Sequence, residues 1–356
     1  MRSSKLDTVT TEPAPKTSTW ARGAALRGLV ALPLVAGLVA AGWLLADRAP
    51  EPAPVPVPLP AADAAAGPSV LEVSAPVKAQ EPGQGASGQG GKSPLRQWAD
   101  QLAGPLDIPA DALIGYADGE LALRSEKPSC HLSWVTLAGM GSAASDHGRG
   151  GGNLLGLPAA QAKKAADPES ASVAAGRALC ASGTDLGAGL GWWKAIAAYH
   201  PGSETELFRQ RVLGMAQLYA TLSLDPASAG SAHVRATRFA LGQLGLPYVW
   251  GGNGPDAGAA GFDCSGLTKA SYDSAGVALP RTADSQFRAI PAVPPAQEPR
   301  LGDLVFYGSP ATRIHHVGMY LGNGLMINAP TEGQAIQIHT YHSKGDDYAG
   351  AGRPAD

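Results

Sequence analysis

Apolar residues fall along this chain in four different textures. Residues 28–46, GLVALPLVAGLVAAGWLLA, are nineteen positions without a charge, about the length of helix that crosses hydrocarbon. Pro then alternates with Ala and Val from residue 49, giving way to Gly, Gln and Ser by residue 91, a spacer too poor in apolar surface for a core. From 95 to about 220 the apolar positions recur at helical intervals in PLRQWADQLAG, PADALIGYADGELAL, CHLSWVTLAGMGSAAS, an Ala-rich run at 171–181, WWKAIAAYH and ELFRQRVLGMAQLYATLS, with Gly, Pro and Ser clusters between them. A second polar stretch, 223–233, precedes two further helices: VRATRFALGQLG, closed by Gly245, and CSGLTKASYDSAG, closed by Gly276. There the period shortens to two, and DLVFYG, HVGMYLG, LMINA and AIQIHTY read as strands.

The pattern predicts a multi-domain chain: a cytoplasmic tail (1–23), a transmembrane helix (24–46), a Pro/Ala/Gly-rich linker (47–94), an all-α domain (95–222), a short linker (223–233), an α+β domain with helices packed on an antiparallel sheet (234–345) and a flexible tail (346–356). Arg2, Lys5, Lys16, Arg22 and Arg27 precede the apolar run, and only Arg48, Lys78, Lys92 and Arg96 occupy the fifty residues after it. This bias keeps the N-terminus cytoplasmic, so the chain is expected in the cell membrane as a single-pass protein with its C-terminal domains on the cell-wall side. A cleaved signal peptide is the alternative, and it too exports the rest.

Lys+Arg 27 against Asp+Glu 30, a formal net of −3, leaves no basic footprint, and nucleic acid is not an expected partner. Export bears on the three cysteines, because disulfides persist outside the cytoplasm. Cys130 and Cys180 both lie in the helical region, and pairing them would stabilise by about 4 kcal/mol on the chain-entropy view; two free buried thiols are the other reading. Cys264 is then left over, at the start of a helix.

Alternation sets the register of the hairpin 316–329. With a three-residue loop at Gly322–Gly324, Leu321 faces Leu325, and Val317, Met319, Leu321, Leu325, Ile327 and Ala329 share one apolar face. His316, Gly318, Tyr320, Met326 and Asn328 share the other, so His316, not His315, meets the amide of Asn328. A thiol at a helix start, a histidine and an amide are the parts of a cysteine hydrolase: the helix terminus and an imidazolium favour thiolate, which lowers the thiol pKa, His316 shuttles the proton and Asn328 orients the ring. Spacing alone leaves a core thiol beside a surface histidine equally open. The single cysteine and the lack of paired-ligand spacing argue against a metal, and no cofactor is expected.

LGLPYVWGG, GFDCSGL, LPRTADSQ, GDLVFYG and HHVGMYLGNGLMINAP, in that order over roughly residues 235–342, resemble the NlpC/P60 family of cell-wall cysteine peptidases. The resemblance implies a papain-like fold and hydrolysis of peptidoglycan stem peptides, typically between D-γ-glutamate and a diamino acid. It makes Cys264 the nucleophile, His316 the base and Asn328 the third polar residue. Tyr248 matches a tyrosine beside the nucleophile that helps the oxyanion or substrate, with a packed core aromatic as the other reading, and Asp263 and Ser265 match positions that hold the stem peptide's free amine. Arg281 is either an ion-pair partner or a substrate clamp.

WADQLAGPLDIPADALIGYADGELAL, CHLSWVTLAGMGSAASDHGR and ALCASGTDLGAGLGWWKAIAAYH resemble the lytic transglycosylases of lysozyme-like fold over about residues 95–222. Their essential glutamate falls on Ala144, and on a continuing helix Asp146 would point about 200° away from that position. Glycan cleavage needs a carboxylic acid at the bond, so this domain is expected to be inactive, a glycan-binding module or a scaffold. The expected partners are peptidoglycan and, through the first helix, the membrane. Docking on the wall as a non-catalytic part of a conjugation or secretion apparatus, and amidase or acyltransferase chemistry on the same scaffold, are the competing readings.

Overall fold

Prolines and small polar residues set the helix starts of the central region. Ser93 accepts the N–H of Arg96 at 3.2 Å and Pro94 opens α1 (Pro94–Leu106), a position where the missing proline N–H costs nothing. The computed structural model describes residues 67–76, 92–149, 153–181 and 183–355. The expected cytoplasmic tail (1–23), the transmembrane helix (24–46) and linker residues 47–66 and 77–91 lie outside the described residues. Among the described residues, no helix is long and apolar enough to cross a membrane.

After α1 come α2 (Ala110–Glu126), a 3-10 turn (Pro128–Cys130), α3 (Trp134–Ser145), the short α4 (Ala159–Ala162), α5 (Pro168–Leu179), α6 (Gly189–Tyr199) and α7 (Thr205–Leu224). Cys130 and Cys180 are joined as a disulfide that fastens the 3-10 turn to the end of α5. His147, just beyond α3, is buried between two tyrosines, with Nδ1 2.9 Å from the Tyr116 hydroxyl and Nε2 2.8 Å from that of Tyr219. Burial lowers its pKa to about 4, so the ring is neutral and tethers the end of α3 to α2 and α7.

Part of the expected linker is ordered. Leu71 N–H donates to Gln217 Oε1 at 3.0 Å, Ser133 Oγ donates to Val73 O at 2.7 Å, and Ala75 N–H donates to the Glu120 carboxylate at 3.2 Å. Val70, Leu71 and Val73 pack partly buried on the helical core and Ala75 is fully covered. This short apolar stretch is PSVLEVSAP, residues 68–76.

The second expected linker, 223–233, is likewise structured: α7 runs to Leu224, a 3-10 helix follows at Pro226–Gly230, and α8 (Ala232–Gly242) starts on a cap in which Ser231 accepts the N–H of Val234. Helix α7 serves both regions. It packs on α3 on one side, and on the other Gln210 Oε1 accepts the N–H of Ile338 at 2.8 Å. A Cβ at Gly214 would stand 2.5 Å from Leu241 and 2.9 Å from Ile338, so the missing side chain sets how closely α7 approaches its neighbours.

Next come a 3-10 turn (Pro255–Ala257), α9 (Cys264–Ser274), α10 (Ala283–Ala289) and five strands: β1 (Leu304–Ser309), β2 (Arg313–Gly322), β3 (Leu325–Asn328), β4 (Gln337–Thr340) and β5 (Tyr348–Gly352). The sheet is antiparallel in the order β4-β3-β2-β1-β5. Its β2–β3 hairpin closes differently from expectation. Asn323 and Gly324 both have positive φ, 51° and 74°, the two-residue turn that right-twisted strands favour. A bulge between Tyr320 and Gly322 absorbs the residue that this turn would otherwise shift, so Met319 still faces Ile327 and Tyr320 faces Met326. The apolar set Val317, Met319, Leu321, Leu325, Ile327 and Ala329 is therefore buried together against the helices.

Residues 346–356 were expected as a flexible tail, but β5 pairs with β1, and its outer side is covered where Val293 N–H donates to Ala351 O at 2.8 Å. Arg353 then closes on Asp303, with Nε 2.8 Å from Oδ1 and an Nη 2.7 Å from Oδ2. Asp303 is fully buried, and breaking such a pair from one side leaves a buried charge uncompensated. Arg353→Ala should lower unfolding stability by about 3 kcal/mol, less than the full buried-pair cost because the arginine is partly exposed. An unchanged denaturant midpoint would show that the C-terminal segment contributes nothing to the fold.

Candidate active site

The site is built around one helix start. Asp263 caps α9, accepting the Gly266 N–H on Oδ1 at 2.6 Å, which fixes Cys264 at the first helical position. Asp263 Oδ2 accepts the Gly251 N–H at 3.1 Å, and Arg281 grips both oxygens, at 2.9 and 2.6 Å. The guanidinium also reaches Ser265 Oγ at 3.1 Å, and that hydroxyl lies 3.3 Å from Asp263 Oδ1. A carboxylate offers about four lone-pair positions, and these partners fill them. Asp263 and Ser265, expected to hold the substrate's amine, are buried and, with Arg281, also form the clamp that aims α9. Gln286 of α10, fully buried, secures the same turn by accepting from Thr268 Oγ1 at 2.8 Å and donating to Ser265 O at 3.0 Å.

Across from Cys264 stands β2. His316 is buried and pairs in register with Tyr307 of β1, and Asn328, fully buried, ends β3. Since Met319 faces Ile327, Asn328 is the diagonal neighbour of His316 on one sheet face, within side-chain reach. A Cβ at Gly318, between them, would meet the Met326 sulfur at 2.7 Å and the Asn328 Cβ at 3.4 Å. His316 Nε2 and Asn328 Oδ1 are both buried and neither makes a hydrogen bond of ordinary geometry. His315 points away and pairs with Asp347 at 2.6 Å.

The expected low thiol pKa is not what this environment produces. Burial, and then the neighbouring Asp263 charge, push the Cys264 thiol up to about 11, against the opposing pull of the Val317 and Ser265 backbone N–H groups. The helix terminus that was to favour thiolate is already occupied by its capping carboxylate. Burial, and then His315, bring His316 down to about 4, although Asn328 favours the charged ring. Both shifts favour the neutral forms, a thiol and an imidazole. Tyr248 is buried, and burial together with the adjacent Cys264 and Asp263 keeps its phenol protonated, a hydrogen-bond donor beside the sulfur.

One site residue was not singled out from the sequence. His339 of β4 lies 3.0 Å by Nδ1 from Asn328 Nδ2. The signal was available: Ile336 and Ile338 are both buried in the core, so alternation puts His339 on the face of Asn328.

In the helical region, Ala144 is exposed in the last turn of α3 and lines a cavity of about 280 Å³ with Gly156, His200, Glu204, Phe208 and Arg211. Asp146 is not on a continuing helix. It follows the last turn in the left-handed conformation, φ 49°, and pairs with Arg149, so the helical-wheel argument does not apply to it. Among the described residues, no cluster of His, Cys, Asp and Glu is arranged to hold a metal ion.

Residues 245–349 match the model of the NlpC/P60 family and form an NlpC/P60 domain, the module of a family of cysteine peptidases. The chain is 39% identical over 117 residues to peptidoglycan endopeptidase RipA of Mycolicibacterium smegmatis, covering 30% of this chain and 23% of that protein. It is 46% identical over 96 residues to the bifunctional muramidase/DL-endopeptidase CwlT of Bacillus subtilis, covering 26% and 28%. With the gamma-D-glutamyl-L-lysine dipeptidyl-peptidase of Bacillus cereus it shares 39% identity over 114 residues, 31% and 33% of the two chains. The chain spans no more than a third of the length of these relatives.

A neutral thiol near pKa 11 predicts that alkylation of Cys264 by iodoacetamide accelerates steadily from pH 6 into the alkaline range. A rate plateau already established below pH 7 would instead indicate a preformed thiolate–imidazolium pair.

Proposed function

We propose that this chain is a membrane-anchored peptidoglycan hydrolase whose C-terminal domain cleaves stem peptides. The observation that carries the reading is a helix-starting cysteine whose thiol meets the Val317 backbone N–H, next in sequence to the buried His316, with the buried Asn328 on the neighbouring strand, within a domain whose relatives are named peptidoglycan endopeptidases. Cys264 attacks the scissile carbonyl as His316 takes its proton; His316 returns that proton to the leaving amine, and water, deprotonated by the same ring, then releases the thioester. Asn328 holds the ring through Nε2, and the Tyr248 hydroxyl donates to the developing oxyanion. The bond is the one between D-γ-glutamate and a diamino acid, a choice supported by the similarity to the gamma-D-glutamyl-L-lysine dipeptidyl-peptidase of Bacillus cereus.

Residues 24–46 supply the anchor, and the spacer carries the catalytic domain out to the wall side. The helical region is a transglycosylase-like module without its acid, because alanine at position 144 cannot protonate a glycosidic oxygen. It contributes reach or a hold on glycan.

Incubating the purified chain with isolated cell wall and weighing the soluble products should reveal new peptide termini at the γ-glutamyl bond. Cys264→Ala should abolish them. Equal release by that variant, or no new termini from the unaltered chain, would overturn the peptidase assignment. The same digests should contain no glycan fragments; their release from the unaltered chain, and its loss in Glu204→Gln, would transfer the acid role to Glu204 and overturn the inactive reading.

A further inference from the structure

Three polar side chains on three adjacent strands form a diagonal row on one face of the sheet. His316 of β2 lies diagonal to Asn328 of β3, and Asn328, which faces Gln337, lies diagonal to His339 of β4. We infer that His339 is a positioning residue: by accepting the Asn328 amide N–H on Nδ1, it turns the amide so that Oδ1 meets His316 Nε2–H and leaves His316 Nδ1 as the base for Cys264. This role rests on the peptidase reading of the same site.

The argument is one of donors and acceptors. An asparagine amide has two faces of similar shape and opposite hydrogen-bond character, so something must choose between them. With Nδ2 toward His339, 3.0 Å away, Oδ1 is left to the His316 side, where it is buried and unpartnered along with His316 Nε2. The reversed amide would present Nδ2–H to His316 and require an acceptor there, moving the ring's proton to Nδ1. A ring protonated on Nδ1 has no lone pair to offer the thiol. The choice therefore falls to His339, which can accept only if its Nδ1 carries no proton. Burial holds its pKa down to about 4, so a neutral ring is available at all pH values where a wall hydrolase works. Its neighbours on this face agree: Met326, directly opposite on β3, and the neutral His316 offer no carboxylate that would draw a second proton onto the ring.

The strand order explains why the orienter needs outside help. Asn328 is the last residue of β3, its amide is fully buried, and its Nδ2 lies 3.0 Å from His339 Nδ1. His339 sits on the edge strand β4, whose own place is fixed from behind by the Gln210 contact of α7 to Ile338.

The test reads tautomers and catalysis separately, on the full chain. With 15N-labelled histidine at pH 7, the unaltered protein should show His339 protonated on Nε2 and bare on Nδ1, and His316 likewise protonated on Nε2. A proton on Nδ1 of either ring would overturn the inference, whether or not the protein cleaves wall peptides. His339→Leu should shift His316 toward a mixture of tautomers and lower kcat about tenfold or more at unchanged KM, as loss of a second-layer orienter does. His339→Gln, which can still accept through its amide oxygen, should recover a substantial part of that loss. A Leu variant that folds with unaltered His316 tautomer and kcat would sink the idea. If His339→Leu fails to fold, the wild-type tautomers still decide it, and an inactive wild type would count against the peptidase reading without touching the tautomer result.

Discussion

The Asp263 carboxylate is the constraint on which the site's geometry depends. It caps α9, holds the Gly251 N–H of the preceding loop and takes both arms of Arg281. The three demands come from separate stretches of chain, and one small group satisfies them all, so the loop carrying Tyr248, the start of α9 and the segment before α10 cannot move independently. Cys264 is positioned because its neighbour in sequence is pinned. The same pin has an electrostatic cost, since a carboxylate one residue away raises the thiol's pKa. Arg281 offsets much of that charge, and burial accounts for the larger part of the shift. The site thus favours precise placement of a neutral thiol over a resting thiolate.

Such a site must generate its nucleophile on demand. A buried imidazole that stays neutral until the moment of attack is a competent base only if its lone pair already faces the sulfur. That requirement shifts the burden from the histidine to what holds it. In this sheet the holding is done by strand geometry: diagonal neighbours on β2, β3 and β4 lie at fixed spacing, and the bulge at Leu321 keeps the register that puts them on one face.

How much of this could be read beforehand divides along physical lines. The burial of six apolar residues was enough to choose the β2–β3 register, and with it the facing of His316 and Asn328, because a slip of one would have buried polar atoms. The turn itself was misjudged: Asn323-Gly324 is the stronger local signal, and the bulge that reconciles it with the register leaves no trace in alternation. Strand β5 was missed because YAGAG has almost no side chains from which to read a period; its place is set by backbone pairing and by Arg353 reaching Asp303. The clamp role of Asp263 was not legible because a carboxylate's partners are tertiary. Nothing local says that Arg281, eighteen residues on, grips it.

The helical region bears on the same question through α7. Its retention does not require that it cleave anything. Ala144 is exposed at the end of α3, where it lines the cavity with Gly156 and Glu204. By contrast, Val212, Leu213, Gly214, Gln217 and Leu218 of α7 are buried, and the helix is sandwiched between α3 and the sheet. Removing the helical region would expose the α8 and β4 surfaces that Gly214 lets approach so closely, and would free Ile338 N–H from Gln210. Strand β4 is an edge strand, and His339 rides on it. The helices thus steady the strand that carries the last member of the His316–Asn328–His339 row, which gives the region a structural role whatever its own cavity does.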